Sequence, residues 1–291
     1  MPAATTHVEF AKDVLNIIDT PQKEKITNLQ MFYLGSQGPD VLLFSRASLL
    51  PGSLVKMGSL MHNEKVPEVI LFFEKYAGDD KDLVSYIQGY LCHYALDSYC
   101  HPLINAVAHY NHVHKGVHEG EYHVTSEADI DVWMLQQRGR DLKDYDVYTY
   151  LKVDSTSAKK LANMYHSMFI EVFDKIIPAR KFEETIRTMS TFSKFLGPSK
   201  GLYKFAYAAE SLVRAPHAFS GMMLYDKNDF QVLNLEHKAY PLTFDPTKAI
   251  SASFPELYGK AVTYCKRIME SHNYDTFDAN FEGKPKKIAE S

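Results

Sequence analysis

The stretch Gly89-Tyr90-Leu91-Cys92-His93-Tyr94-Ala95-Leu96-Asp97-Ser98-Tyr99-Cys100-His101-Pro102 decides how this chain reads. Gly78-Asp79-Asp80 breaks the preceding helix, and Asp79 or Asp80 is placed to cap a strong helix from about Lys81 to His101, where Pro102 predicts its end. On a helix, residues four apart stack one above the other, so His93, Asp97 and His101 form one stripe. Imidazole and carboxylate are ligand types that zinc accepts, at about 2.0–2.2 Å. The stripe sits among Leu91, Ala95 and Leu96, where unpaired charges are costly. A second pair with the same spacing, His123 and Glu127, falls on the next helix, expected over Glu121 to Arg138. Either pair alone reads as a local hydrogen bond or a solvated pair. Two such helices packed side by side converge five ligands on one pocket, as helical-bundle metal sites do.

Outward from this stripe the pattern stays helical. Val8, Ala11, Leu15 and Ile18 recur at helical spacing, and Ile26, Leu29, Phe32 and Tyr33 continue a second helix that Gly35 can end. Ser36 to Gly52, with Gly38, Pro39, Pro51 and Gly52, reads as a long loop. Pro67 to Tyr76 reads as a short helix. Asn105 to Gly120 carries His109, His112, His114 and His118 among glycine and asparagine breakers and reads as a loop at the site, its histidines solvated by default. Further helices are expected over Ala158 to Ile177, Ala179 to Leu196, Leu202 to Val213 and Phe254 to Met269, with an irregular excursion over Ala215 to Pro255. The expected fold class is all-α, a single large helical domain. Residues 1–140 form a metal-binding helical core, and 141–291 a C-terminal helical extension packed on the same domain.

Composition narrows the function classes. With 291 residues, 45% hydrophobic and 23% charged, the chain can bury a sizeable core. A net charge of -4 gives no footprint for nucleic acid or an anionic membrane. Lys284, Lys286 and Lys287 fall in a polar tail expected to fray. Cys92, Cys100 and Cys265 do not make a disulfide framework, and Cys92 and Cys100 are expected to pack beside the stripe. No stretch approaches the roughly 20 apolar residues of a membrane span, and Met1 to Phe10 lacks the pattern of a signal peptide, so a cytoplasmic protein is expected. The exception to an ordinary composition is histidine: eight of 13 lie between His62 and His123.

Several short motifs, taken in order, resemble the zinc-dependent phospholipase C family, whose bacterial members share a helical fold with tri-zinc nucleases. They are Thr6-His7, Gly38-Pro39-Asp40, Leu60-Met61-His62, Gly89-x3-His93-x3-Asp97-x3-His101-Pro102 and His123-x3-Glu127. They cover roughly the first half of the chain. The resemblance implies that His62, His93 and Asp97 hold one zinc, with Asp97 bridging, and that His101, His123 and Glu127 hold a second. It also implies that His7 belongs to a third metal sharing Asp97, and that Asp40 is the carboxylate near the attacking water. Two departures stand out. The secreted enzymes complete the third metal with an N-terminal tryptophan where this chain reads Met1-Pro2-Ala3, and they have a longer gap between the positions of Asp97 and His101. Two or three zinc ions are therefore expected.

The chemistry this implies is hydrolysis of a phosphoester, a phospholipid or a smaller soluble diester, by a metal-bridged hydroxide. A nuclease or phosphomonoesterase on the same fold is the alternative within enzymes, and a non-catalytic metal-binding protein the alternative outside them. Nucleic acid is the less expected partner, because phosphate tracking calls for Lys and Arg. Oligomeric state is not legible in the sequence.

Overall fold

The structure is a computed structural model that describes residues 4–45, 53–195, 200–212, 218–224, 230–274, 277 and 279–285. Its described elements are almost entirely helical. In chain order they are α1 (Ala4–Ile17), α2 (Thr20–Lys25), α3 (Leu29–Gly35), α4 (Val55–Asn63), α5 (Val66–Ala77), α6 (Lys81–Lys115) and α7 (Glu119–Gln137). There follow α8 (Tyr148–Leu151), α9 (Ser155–Phe173), α10 (Ala179–Phe192), α11 (Lys200–Leu212), α12 (Ala218–Gly221) and α13 (Phe254–Ser271). The all-α expectation holds. The one sheet among the described residues is a two-residue antiparallel pairing, β1 (Tyr240–Pro241) with β2 (Ala249–Ile250).

α6 is the axis of the molecule. Asp80 caps it by accepting from the backbone N–H groups of Asp82 and Leu83, at 3.0 and 3.2 Å, and Gly116 ends it in the left-handed conformation. Every residue from Ser85 to Asp97 is buried, so this part of α6 is enclosed on all sides. α1, α3, α5, α7, α9 and α13 all pack against it. Two glycines set the tightest approach. A Cβ on Gly89 of α6 would lie 2.0 Å from the carbonyl oxygen of Phe32, and one on Gly35 of α3 would lie 2.0 Å from that of Tyr86. The pair lets α3 sit directly on α6 and brings the turn that follows α3 up to His93.

Three expectations are corrected. The first concerns the end of α6 at His101: the helix runs through Pro102 to Lys115, so Asn105 to Lys115 is helix and only a short connection remains of the expected loop. An internal proline costs about 3 kcal/mol. Burial of Leu103, Ile104 and Val107, at roughly 1.5–3 kcal/mol each, offsets this. Secondly, the segment read as a loop from Ser36 contains a 3-10 helix, Gly38–Phe44, while residues 46–52, with Pro51 and Gly52, lie outside the described residues. Finally, the tail expected to fray is ordered through Pro285, although Lys286 and Lys287 lie outside the described residues. There Asn280 and Lys284 close a tight loop by backbone hydrogen bonding, and Ala279 bridges to Pro285.

Candidate metal centre

Five elements deliver the side chains. His7 comes from the first turns of α1, where Asp131 of α7 accepts from the N–H groups of Thr5 and Thr6 and from the Thr6 hydroxyl, at 3.2, 2.7 and 2.6 Å. Asp131 thus caps α1 and fixes its start beside His7, rather than touching an imidazole itself. Asp40 lies in the 3-10 helix, His62 in the last turn of α4, and His93, Asp97 and His101 on α6, with His123 and Glu127 on α7. Gly38 has φ +49°, and a Cβ there would lie 2.2 Å from the His93 ring, so only glycine lets the turn close over this imidazole.

All eight residues come together. Asp97 is the hub: Oδ1 lies 3.3 Å from His7 Nε2, and Oδ2 lies 3.0 Å from His93 Nε2, 3.7 Å from His101 Nε2 and 3.8 Å from His62 Nε2. Asp40 Oδ1 is 3.2 Å from His62 Nε2. Glu127 Oε1 is 3.2 Å from His123 Nε2 and 3.4 Å from His101 Nε2. Three sets have donor atoms within 4.8 Å of one another: His62, His93 and Asp97; His101, His123 and Glu127; and His7, Asp40 and His93. The first two are the sets expected from the resemblance. The third differs from expectation, grouping His7 with Asp40 and His93.

Tautomers are set from behind. His62 Nδ1 faces Gly58 O at 2.8 Å, His93 Nδ1 faces Ser36 O at 3.1 Å, and His101 Nδ1 faces Phe281 O at 3.1 Å. A carbonyl oxygen has no proton to give, so each Nδ1 donates, and each neutral ring aims the Nε2 lone pair into the site. His123 Nδ1 faces Asn105 Oδ1 at 2.9 Å and follows the same pattern. Lone pairs on nitrogen therefore face lone pairs on carboxylate oxygen. Among the described residues, His93 Nε2, Asp97 Oδ2, Asp40 Oδ1 and His7 Nδ1 are buried with no hydrogen-bond partner. Acceptors facing acceptors in a buried pocket call for cations between them, and imidazole nitrogen with carboxylate oxygen is a donor set that fits zinc.

The family model for zinc dependent phospholipase C matches residues 6–182, more than half of the chain. The chain belongs to the zinc-dependent phospholipase C family. No curated protein and no solved structure matches it. Within this family member the matched span contains all eight site residues, whereas Phe281 and Glu282, which also touch the site, lie outside it.

Electrostatics follow from the crowding. Burial opposes ionisation of the carboxyls, yet His101, His93 and His7 hold Asp97 below the usual carboxylate range, and Asp40, at about 2, and Glu127 lie below it as well, with neighbouring imidazoles among the causes. Burial favours neutral His101, but Asp97, Glu282 and Glu127 raise it to about 10. Without a metal, a proton takes the place of a cation there. Burial and the neighbouring His93 push His7 down to about 3. The site opens to a cleft of about 140 Å³ lined by Asp40, Leu43, Ser59, His62, His101, His123 and Glu282.

Sequence reasoning missed three contributors. Asn105 continues the four-residue stripe beyond His101, and that spacing was a usable signal, masked by reading the segment as a loop. Phe281 and Glu282 carried no local signal at all. Three further histidines of the cluster stay out of the site: His109 faces Glu119, while His112 and His114 face backbone carbonyls of Val117 and Tyr110, all at the exposed end of α6. Cys92 and Cys100 are buried and free, with Cys92 Sγ 3.8 Å from Cys265 Sγ.

Proposed function

We propose that this chain is a zinc-dependent phosphodiesterase of the phospholipase C type. The observation that carries the reading is the set of four imidazoles whose Nδ1 atoms are tied to oxygen acceptors and whose Nε2 atoms converge on Asp97, Asp40 and Glu127. Membership of the family supports a zinc hydrolase in general.

His93 has one Nε2 lone pair and serves only one ion, so the two sets that share it compete. Assigning each nitrogen once leaves two sets of three: His62, His93 and Asp97 would hold one ion, and His101, His123 and Glu127 the other. A third ion would draw on His7, Asp40 and the second oxygen of Asp97. When bound, zinc supplies Lewis acidity and lowers the pKa of water towards neutrality.

The chain's own residues do the rest. Asp97, with histidines on both of its oxygens, spans the halves of the site and holds them at a fixed separation. Asp40 stays ionised and lies at the cleft wall beside His62, which suits it to accept from the attacking water and aim it. Among the described residues that line the cleft there is no Lys or Arg, which favours a single phosphodiester group, such as a phospholipid headgroup, over a polyanion. Its volume, below the roughly 300–1,000 Å³ of drug-sized sites, agrees with a small headgroup.

The test compares wild type with Asp97→Asn on bis(4-nitrophenyl) phosphate, with phosphatidylcholine vesicles, single-stranded DNA and a phosphomonoester assayed in parallel. Hydrolysis of the diester and of phosphatidylcholine by wild type alone is expected. Undiminished activity of D97N would sink the reading, and preference for DNA or the monoester would move the protein to another reaction of the same site.

A further inference from the structure

The His101–His123–Glu127 set depends on residues about 180 positions further along the chain. Phe281 is the closer link. Its N–H donates to His62 O and its carbonyl accepts from His101 Nδ1, each at 3.1 Å, while its ring packs against His62 and His93 at 5.2 and 5.4 Å between centroids. Glu282 is the next residue. Its Oε2 accepts from Asn105 Nδ2 at 2.8 Å, and its backbone N–H is held by Asn280 Oδ1 at 3.0 Å. Gly283 then passes so close to Ser98 and Pro102 of α6 that a Cβ would lie 2.3 Å from Pro102 Cγ, and its φ is +66°.

A carboxylate only accepts, whereas an amide can turn either its NH2 or its oxygen outwards. Facing Glu282, Asn105 must direct Nδ2 towards Oε2, and this leaves Oδ1 facing His123 Nδ1 at 2.9 Å. The proton of neutral His123 is thereby placed on Nδ1, and Nε2 is left with a lone pair 3.2 Å from Glu127. If Asn105 were free to turn over, it would donate to Nδ1 instead. The proton would then move to Nε2, where it blocks ligation. Asn105 stands four residues after His101 on the stripe of α6, so the fold holds it between the imidazole and the carboxylate.

We propose that Glu282, from outside the span matched by the family, is a positioning residue that selects the metal-binding tautomer of His123 through Asn105. This rests on the zinc reading above. It concerns one half of the site, and His62, His93 and Asp97 do not depend on it.

The experiment is a zinc titration of the full chain against a competing chelator, on wild type, Glu282→Ala and the double variant Glu282→Ala/Asn105→Asp. An aspartate at position 105 can only accept, so it restores the acceptor for His123 without needing Glu282. One zinc ion of E282A is expected to bind about 10- to 100-fold more weakly, the size of effect that losing an outer partner of a ligating histidine has, with the other ion unchanged. The double variant should regain most of this loss. Ring ¹⁵N spectra of the zinc-loaded proteins give a second readout: Nδ1 of His123 is expected protonated and hydrogen-bonded in wild type and the double variant, with this signature weakened in E282A. Unchanged zinc affinity in E282A overturns the proposal, and so does failure of the aspartate to rescue. A wild type that binds no zinc overturns the zinc reading as well, which sets that failure apart.

Discussion

The two halves of the site are built on the same four-residue spacing and differ in how they are held. His62, His93 and Asp97 are buried, and the oxygens behind their imidazoles come from Gly58 and Ser36, both inside the span matched by the family. Both halves touch the cleft, through His62 and through His101 and His123. In the half made by His101, His123 and Glu127, however, one imidazole is more open, the His123 side chain being 20% exposed, and the support behind its imidazoles comes from Phe281 and, through Asn105, from Glu282. A ligand set can thus be assembled from adjacent helices while its proton positions are decided by a remote segment. The deep half should be the more robust to changes outside the helical core.

The largest expected effect breaks both halves at once. Asp97→Asn removes the carboxylate between them and should lower diester hydrolysis by at least about 10²–10³-fold, the scale of losing one preorganised electrostatic group, read by steady-state kinetics. Zinc content measured on the same preparation should fall too.

Next in size is a change that strikes the deep half through packing. Gly89→Ala puts a methyl carbon where the Phe32 carbonyl lies and forces α3 away from α6, together with the turn that carries Ser36 and Gly38 over His93. Overpacking of this kind costs about 1–3 kcal/mol, to be read by denaturant unfolding. An unchanged unfolding midpoint would mean that the helices are not in contact as described.

Chelation and pH probe the open half. His101 is raised from 6.5 to about 10 in the folded, metal-free chain. Its contribution to stability is therefore fully present below pH 6.5 and is lost as pH rises through about 10. Chelator-treated protein should melt progressively lower from pH 6.5 towards pH 10, and added zinc should flatten the trend because bound metal takes over from the proton. A chelator-treated melting point that rises over this range would contradict the charge arrangement.

The smallest expected effect serves as the control. Replacing His112 and His114 by Ala removes two exposed imidazoles beyond the site, each hydrogen-bonded only to a backbone carbonyl among the contacts described. Stability should stay within about 0.5 kcal/mol and zinc stoichiometry should be unchanged. Lost zinc would show that the histidine cluster extends further than the eight residues that converge.

How far the sequence could be read depended on the range of the interactions. The helices and their caps, Asp80 above all, were legible because a cap acts within three residues. The stripe His93, Asp97, His101 and the pair His123, Glu127 were legible because four-residue spacing leaves one geometric outcome on a helix. Pro102 misled for the same reason: read locally it ends a helix, but α6 is enclosed and the buried apolar residues beyond it outweigh one lost backbone bond. Read locally, Asn105 therefore falls in a loop.

By itself, then, the sequence determined the residue types of the candidate site, the placement of five of them on two helices and the all-α class, since each rests on local periodicity and residue chemistry. Only the tertiary structure decided which imidazole nitrogen faces inwards, which way Asn105 turns, and that Phe281 and Glu282 stand behind the open half. Those choices depend on hydrogen bonds from His101 to Phe281 and from Asn105 to Glu282, across 180 and 177 positions. No periodicity in a chain encodes a pairing at that separation; it exists only once α6 and the closing loop have packed together.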